Sequence, residues 1–159
     1  MSRYVLFGIL APFSLFLDQI TKIWARGDLV FGQKVAVING FWYWQLSYNT
    51  GSAFGLLNRT SGSSMILSAV GIIAAIAILV MLVRASDRQK WLVSALALVF
   101  GGAVGNVIDR ILYQKVTDFV LWEVGSFSWP VFNVADAALV AGVAILFLDL
   151  GKDQKKHKA

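Results

Sequence analysis

Gly105–Phe119 reads GNVIDRILYQKVTDF. It follows fourteen residues, Trp91–Val104, that carry no charge. An apolar run of that kind suits a bilayer, yet this one closes on Asp109 and Arg110, with Asp118 soon after. A charge placed in the hydrocarbon costs at least about 2.5–3.5 kcal/mol on insertion scales. Such groups persist where they face one another or a wet cavity. The stretch therefore predicts a membrane helix whose late end enters a shared polar pocket.

The rest of the chain agrees with a membrane class. Of 159 residues, 58% are hydrophobic and 14% charged, against a usual apolar share of about 45–50%. Mean hydropathy is +0.70. A soluble domain of this size could not bury so much apolar surface. The net charge of +5 comes from residues at the edges of apolar runs, which argues against nucleic acid as a partner. There is no cysteine, and His157 in the tail is the one histidine. Thiolate, histidine-triad and histidine-metal chemistry are thus set aside, and neither metal nor cofactor is expected.

Four segments meet the length of about 20 mostly apolar residues that a span needs: about 4–25, 65–83, 91–110 and 131–148. Arg3 ahead of the first run resembles the start of a signal peptide, but no small-x-small cleavage site follows and the apolar pattern continues past Asp18. Basic residues concentrate at Arg3, in Arg84–Lys90 and in the tail at Lys152, Lys155, Lys156 and Lys158. The positive-inside rule then places both termini and the 84–90 connection in the cytoplasm. The fold class expected is an all-α integral membrane protein, one domain over 1–159, with four transmembrane helices. A small extracytoplasmic β-hairpin or sheet, at about 29–60, is expected between the first and second helices. There, QKVAVI and FWYWQLSYN flank Asn39-Gly40, which reads as two strands about a two-residue turn. The rings of Phe41–Trp44 suit either the headgroup region or ordinary strand packing. Asn58-Arg59-Thr60 matches a glycosylation pattern and is read as a chance match.

The polar residues of the spans fall at one height. Asp18 and Lys22, four apart, share a face near the outer end of the first helix and read as an ion pair. Asn106, Asp109 and Arg110 form a stripe at the outer end of the third. Asn133 and Asp136 open the fourth, where Pro130 suits a first turn and Asp136 is expected about six residues in, or roughly 9 Å. Two neighbouring aspartates cannot both ionise cheaply, so a pair shares a proton. The ionised one takes a proton from water and the protonated one donates to a carbonyl oxygen. Spacing leaves open which two of Asp109, Asp118 and Asp136 form the pair. Ser47 or Ser52 with Lys22 is a weaker nucleophilic alternative. A small transporter or proton-conducting protein is another reading of intramembrane carboxylates. It would need polar groups continuing to the inner side, and the inner halves of the spans offer none.

Five motifs resemble, in order, those of bacterial lipoprotein signal peptidase, the signal peptidase II family: DQITK at 18–22, NTGSAFG at 49–55, GGAVGNVIDR at 101–110, VTDF at 116–119 and FNVADA at 132–137. The resemblance spans nearly the whole chain. It implies an intramembrane aspartyl endopeptidase of the bacterial cytoplasmic (inner) membrane, its site facing the extracytoplasmic side. Such an enzyme removes the signal peptide of prolipoproteins before a diacylglyceryl-modified cysteine. By motif, Asp118 and Asp136 are the catalytic pair. Asn49, Gly51, Asn106, Asp109, Arg110 and Asn133 match substrate-pocket positions, and Asp18 and Lys22 match structural supports. Ser52 stands where many members carry alanine. The resemblance further implies sensitivity to the antibiotic globomycin. A monomer in contact with membrane lipid is expected.

Overall fold

The computed structural model describes residues 1–51 and 63–156. In chain order its elements are α1 (Arg3–Asp28), β1 (Val35–Ile38), β2 (Trp42–Asn49), α2 (Ser63–Arg84), α3 (Lys90–Tyr113), β3 (Val116–Val124), β4 (Phe127–Ser128) and α4 (Val134–Lys156). Ser52, the 58–60 glycosylation pattern and His157 lie outside the described residues. Among those described, α1, α2 and α3 are each long and apolar enough to cross a membrane. The α2 surface shows why water is the wrong solvent: Met65, Ile66, Ile73, Ile76 and Val83 are all exposed, a patch that soluble monomers rarely carry.

The central helix is α3, which packs against α1, α2 and α4. Its glycines permit the close approach. A Cβ at Gly102 would lie 2.4 Å from the Ala135 carbonyl oxygen, and one at Gly105 would lie 2.4 Å from Asp18 Oδ2. Small residues are the usual means by which membrane helices come this near. At one end, Phe7, Ala11, Ile78, Leu82, Val93 and Leu96 form an apolar cluster. There Arg3 N donates to Asp87 Oδ1 at 2.9 Å and the Arg3 guanidinium to the Ala85 carbonyl, so the start of α1 and the α2–α3 connection share one end of the molecule. Toward the other end, Ala25, Leu46, Phe119 and Val120 pack with Trp42, Trp44 and Phe132. Along α1, the buried Asp18 and Lys22 fall between these two clusters.

The sheet is antiparallel, in the order β1-β2-β3-β4. Two expectations need correction here. The hairpin loop has three residues, not two: Ile38 pairs with Trp42, and Phe41 N donates to the Ile38 carbonyl at 3.0 Å. Gly40 takes φ +79° while Asn39 does not enter the left-handed region. A two-residue type I′ turn needs positive φ at both centres, so the strand slips into a register shift between Ala36 and Ile38 instead. Nor is the sheet confined to the segment between the first two helices. β3 follows α3 and forms its middle. Val116–Leu121 is buried throughout, so it lacks the apolar/polar alternation by which half-buried strands are read. The aromatic run mostly packs. Trp44 lies edge-on to Trp24 at 5.3 Å, and Phe41, still half exposed, stacks on Trp122 at 6.0 Å.

The start of α4 also differs from expectation. Residues 131–132 serve the sheet, since Phe132 exchanges backbone hydrogen bonds with Val120 at 2.8 and 3.0 Å. The helix begins at Val134, so Pro130 is outside it and Asp136 is its third residue rather than about six residues in.

Candidate active site

The site is assembled from α1, α3, β3 and the start of α4. Asp18 and Lys22 form the expected pair, Nζ to Oδ2 at 2.9 Å, both side chains fully buried. Asp18 does more than neutralise Lys22: its Oδ1 accepts from Ala135 N at 2.8 Å, satisfying a donor that the first turn of α4 cannot pair internally. Lys22 Nζ also donates to Asn106 Oδ1 at 2.9 Å and lies 3.8 Å from Asp109 Oδ2. This lysine is enclosed by acceptors, which leaves it poorly suited to activating a serine. Ser47 sits opposite Asp118 in the β2–β3 register.

α3 is capped by Gln114, in the left-handed conformation at φ 58° with its N–H bonded to the Arg110 carbonyl. The chain then turns directly into β3. That sharp stop brings Thr117 N to Asp109 Oδ2 at 2.8 Å. Arg26 adds Nη1 contacts to Asp109 Oδ1 at 3.4 Å and Thr117 Oγ1 at 2.9 Å. Asp109 is thus held among Lys22, Arg26 and the β3 backbone. Arg26 and Thr117 were not singled out in the sequence, where Arg26 reads as the first residue of a connection. Its position four residues after Lys22 continues the Asp18–Lys22 stripe and was the available signal.

Asp118 lies on β3, 2% exposed, so it is no solvated loop residue. Asp136 lies in the first turn of α4. Asn133 joins them. Its Nδ2 donates to Asp118 Oδ1 at 2.6 Å, its Oδ1 accepts from Asp136 N at 2.9 Å, and its N donates to Asp136 Oδ2 at 3.3 Å. The last two contacts form a reciprocal capping box. Asn106 completes the link, its Nδ2 donating to Asp136 Oδ1 at 2.8 Å. Burial, and then the charge of Asp136, push the Asp118 carboxyl up to about 7, against hydrogen bonds from Asn133 and Asn49 that favour its ionised form. Asn49 ends β2 and accepts from Gly51 N at 2.8 Å, with Gly51 at φ +90°. Arg110 is half-buried, its Nη1 3.4 Å from the Asn106 carbonyl, within electrostatic reach of Asp136, Asp118 and Asp109. An apolar groove of about 340 Å³ opens beside Asp136, walled by Trp122, Trp129, Phe132 and Val140. The arrangement places two carboxylates, tied through one amide, at the edge of an apolar surface. Chemically it sets a carboxyl that holds its proton toward neutral pH close to a second carboxyl group, beside an apolar surface.

The family model described as Signal peptidase (SPase) II matches residues 10–152. The lipoprotein signal peptidase of Xylella fastidiosa (strain M12) is 46% identical over 128 residues, 79% of this chain and 76% of that one. The lipoprotein signal peptidase of Maridesulfovibrio salexigens is 40% identical over 156 residues, 97% of this chain and all of its own length. A bacterial membrane enzyme solved by the in meso method at 2.3 Å resolution superposes with a TM-score of 0.85 at 30% identity, covering 94% of this chain and 90% of that one. With the family model extending over nearly the whole chain and full-length relatives at this identity, the chain belongs to the signal peptidase II family of membrane-embedded aspartic peptidases, which process lipoproteins.

Proposed function

We propose that Asp118 and Asp136 are the catalytic pair of this peptidase. The observation that carries the reading is the Asn133 side chain, which contacts both residues. Asp118, with its raised carboxyl, is the acid. Asp136, whose two oxygens each accept an N–H, is the base. Water between them loses a proton to Asp136 as its oxygen attacks the carbonyl carbon before the lipidated cysteine. Asp118 gives its proton to the carbonyl oxygen, producing a neutral tetrahedral diol. Collapse of the diol returns a proton to Asp118 and breaks the C–N bond. The proton held by Asp136 passes to the departing amine.

The membrane setting belongs to the same proposal. α4 has 23 residues, about 34 Å at 1.5 Å per residue, enough for a fourth span. With Arg3, Arg84, Arg88 and Lys90 at one end, that end is cytoplasmic, in a bacterial inner membrane. The carboxylates then lie near the extracytoplasmic face, where a diacylglyceryl anchor holds the scissile bond. Asn49, Gly51, Asn106, Asp109, Arg110 and Asn133 shape the pocket, while Asp18 and Lys22 hold α1 against α4. The chain works as a monomer bathed in lipid, and globomycin inhibits it.

The test is cleavage of a diacylglyceryl prolipoprotein in reconstituted membranes. Asp118→Asn and Asp136→Asn are each expected to lose at least about 10²–10⁴-fold in rate while remaining folded. Near-wild-type cleavage by both variants overturns the assignment.

A further inference from the structure

Between the start of α2 and the end of α3 lies a second cavity, of about 190 Å³, lined by Ser64, Met65, Ser68, Arg110, Ile111 and Gln114. Ser64 is 7% exposed, and among the described residues its Oγ has no hydrogen-bond partner. Leaving a buried hydroxyl unpaired costs about 1–3 kcal/mol, so this atom is poised for something that enters the cavity. The neighbouring Ser68 does not supply it, because the Ser68 hydroxyl donates to the Ser64 carbonyl at 2.8 Å. Arg110 contributes a guanidinium with five donors and no acceptor, and the Asn106 carbonyl takes only a long 3.4 Å contact from it. The polar equipment is rich in donors, so the missing group is an oxygen acceptor.

Charge decides what kind of acceptor. Arg110 already lies within electrostatic reach of the carboxylates of Asp136, Asp118 and Asp109. An added phosphate would meet that acidic cluster and compete for a cation it has claimed. A neutral carbonyl does not. Met65 and Ile111 give the cavity an apolar wall, which suits a carbonyl attached to a hydrocarbon chain. Depth agrees: Arg110 is three residues before the end of α3, about 4–5 Å along the axis, and Ser64 is the second residue of α2. Both therefore sit just below the helix ends, where glycerol esters lie in a bilayer. The cavity also adjoins the carboxylate pair, since Asn106 accepts from Arg110 and donates to Asp136.

We propose that this cavity receives an ester carbonyl of the substrate's diacylglyceryl group and that the Ser64 hydroxyl is the donor selecting it. This rests on the peptidase reading above, in which the glyceryl group hangs on the residue next to the scissile bond. Ser64 is then a specificity residue, while Arg110 ties the lipid to the reacting centre.

The experiment uses the full chain in nanodiscs and two prolipoprotein peptides that differ only in ester or ether linkage of the two chains to glycerol. The wild type is expected to prefer the ester by about three- to tenfold in KM, the worth of one neutral hydrogen bond. Ser64→Ala is expected to bring that preference close to one, with the change carried by KM, and Ser64→Thr to restore it. A wild type with no preference, or a Ser64→Ala variant that keeps it, overturns the inference. So does a preference that follows the linkage of the nanodisc lipid rather than of the substrate, which would assign the cavity to bulk lipid. Failure of the wild type to cleave either peptide would instead overturn the enzymatic reading, and this inference with it.

Discussion

Asp118 is buried in a strand, and its carboxyl is raised from its ordinary value of 3.8 to about 7, first by burial and then by the charge of Asp136. Between those two values the folded chain holds the proton more tightly than the unfolded chain does. The stability this provides is complete below about 4 and is lost as pH rises through about 7. Asp118→Asn should therefore stabilise the fold in detergent at pH 8 by the order of 1–3 kcal/mol, read as a higher thermal midpoint, with the advantage shrinking as pH falls toward 4. A constant difference across that range would contradict the raised carboxyl. With Asp118 as the proposed acid, cleavage should show an alkaline limb near pH 7, measurable as a falling kcat/KM. Lys22 is a buried cation enclosed by Asp18, Asn106 and Asp109. Lys22→Met leaves buried carboxylates unpaired and should cost about 3–5 kcal/mol, read by detergent unfolding. The Asp18–Lys22 pair was legible in the sequence because i,i+4 spacing fixes a shared face. Arg26 was not, because a basic residue at the edge of an apolar run looks the same whether it meets water or a buried aspartate.

α4 owes its starting point to the capping box between Asn133 and Asp136. A residue proposed to do chemistry is therefore also half of a helix cap, and two substitutions separate those roles. Asn133→Ala should lose about 1 kcal/mol of stability together with activity. Asn133→Ser keeps an oxygen for the Asp136 N–H but lacks the Nδ2 that reaches Asp118, so stability should largely return while cleavage stays down by about tenfold or more. Parallel thermal melts and cleavage rates check the pair, and recovery of both by serine would reduce Asn133 to a cap. The same element shows what sequence reading lacked. Four helices could be counted from apolar length, but the onset of α4 depends on Phe132 being drawn into the sheet by Val120, a contact across the chain with no local signature. β3 was missed for a related reason: a strand covered on both faces has the same apolar run as a stretch of buried helix.

For the molecule as a whole, composition and the apolar runs already indicated a membrane protein, and Asp18, Asp109, Asp118 and Asp136 are drawn together through Lys22, Asn106 and Asn133, since hydrocarbon penalises every scattered charge. How closely the helices approach was less visible. α3 meets α1 and α4 at glycine, and Gly105→Ala would thrust a methyl to 2.4 Å from Asp18 Oδ2. A loss of about 1–3 kcal/mol is expected, along with reduced cleavage, because Asp18 also holds Ala135 at the head of α4. Unfolding and turnover measured on one preparation would show both. The contacts of Asn133 and Asp136 run back to Asn106, Thr117 and Asp118, all of which leave the ribosome earlier. With Asp118 and Asp136 as the proposed pair, a nascent chain threading into the translocon has no hydrolytic centre until α4 is delivered, and the protease stays dormant until then.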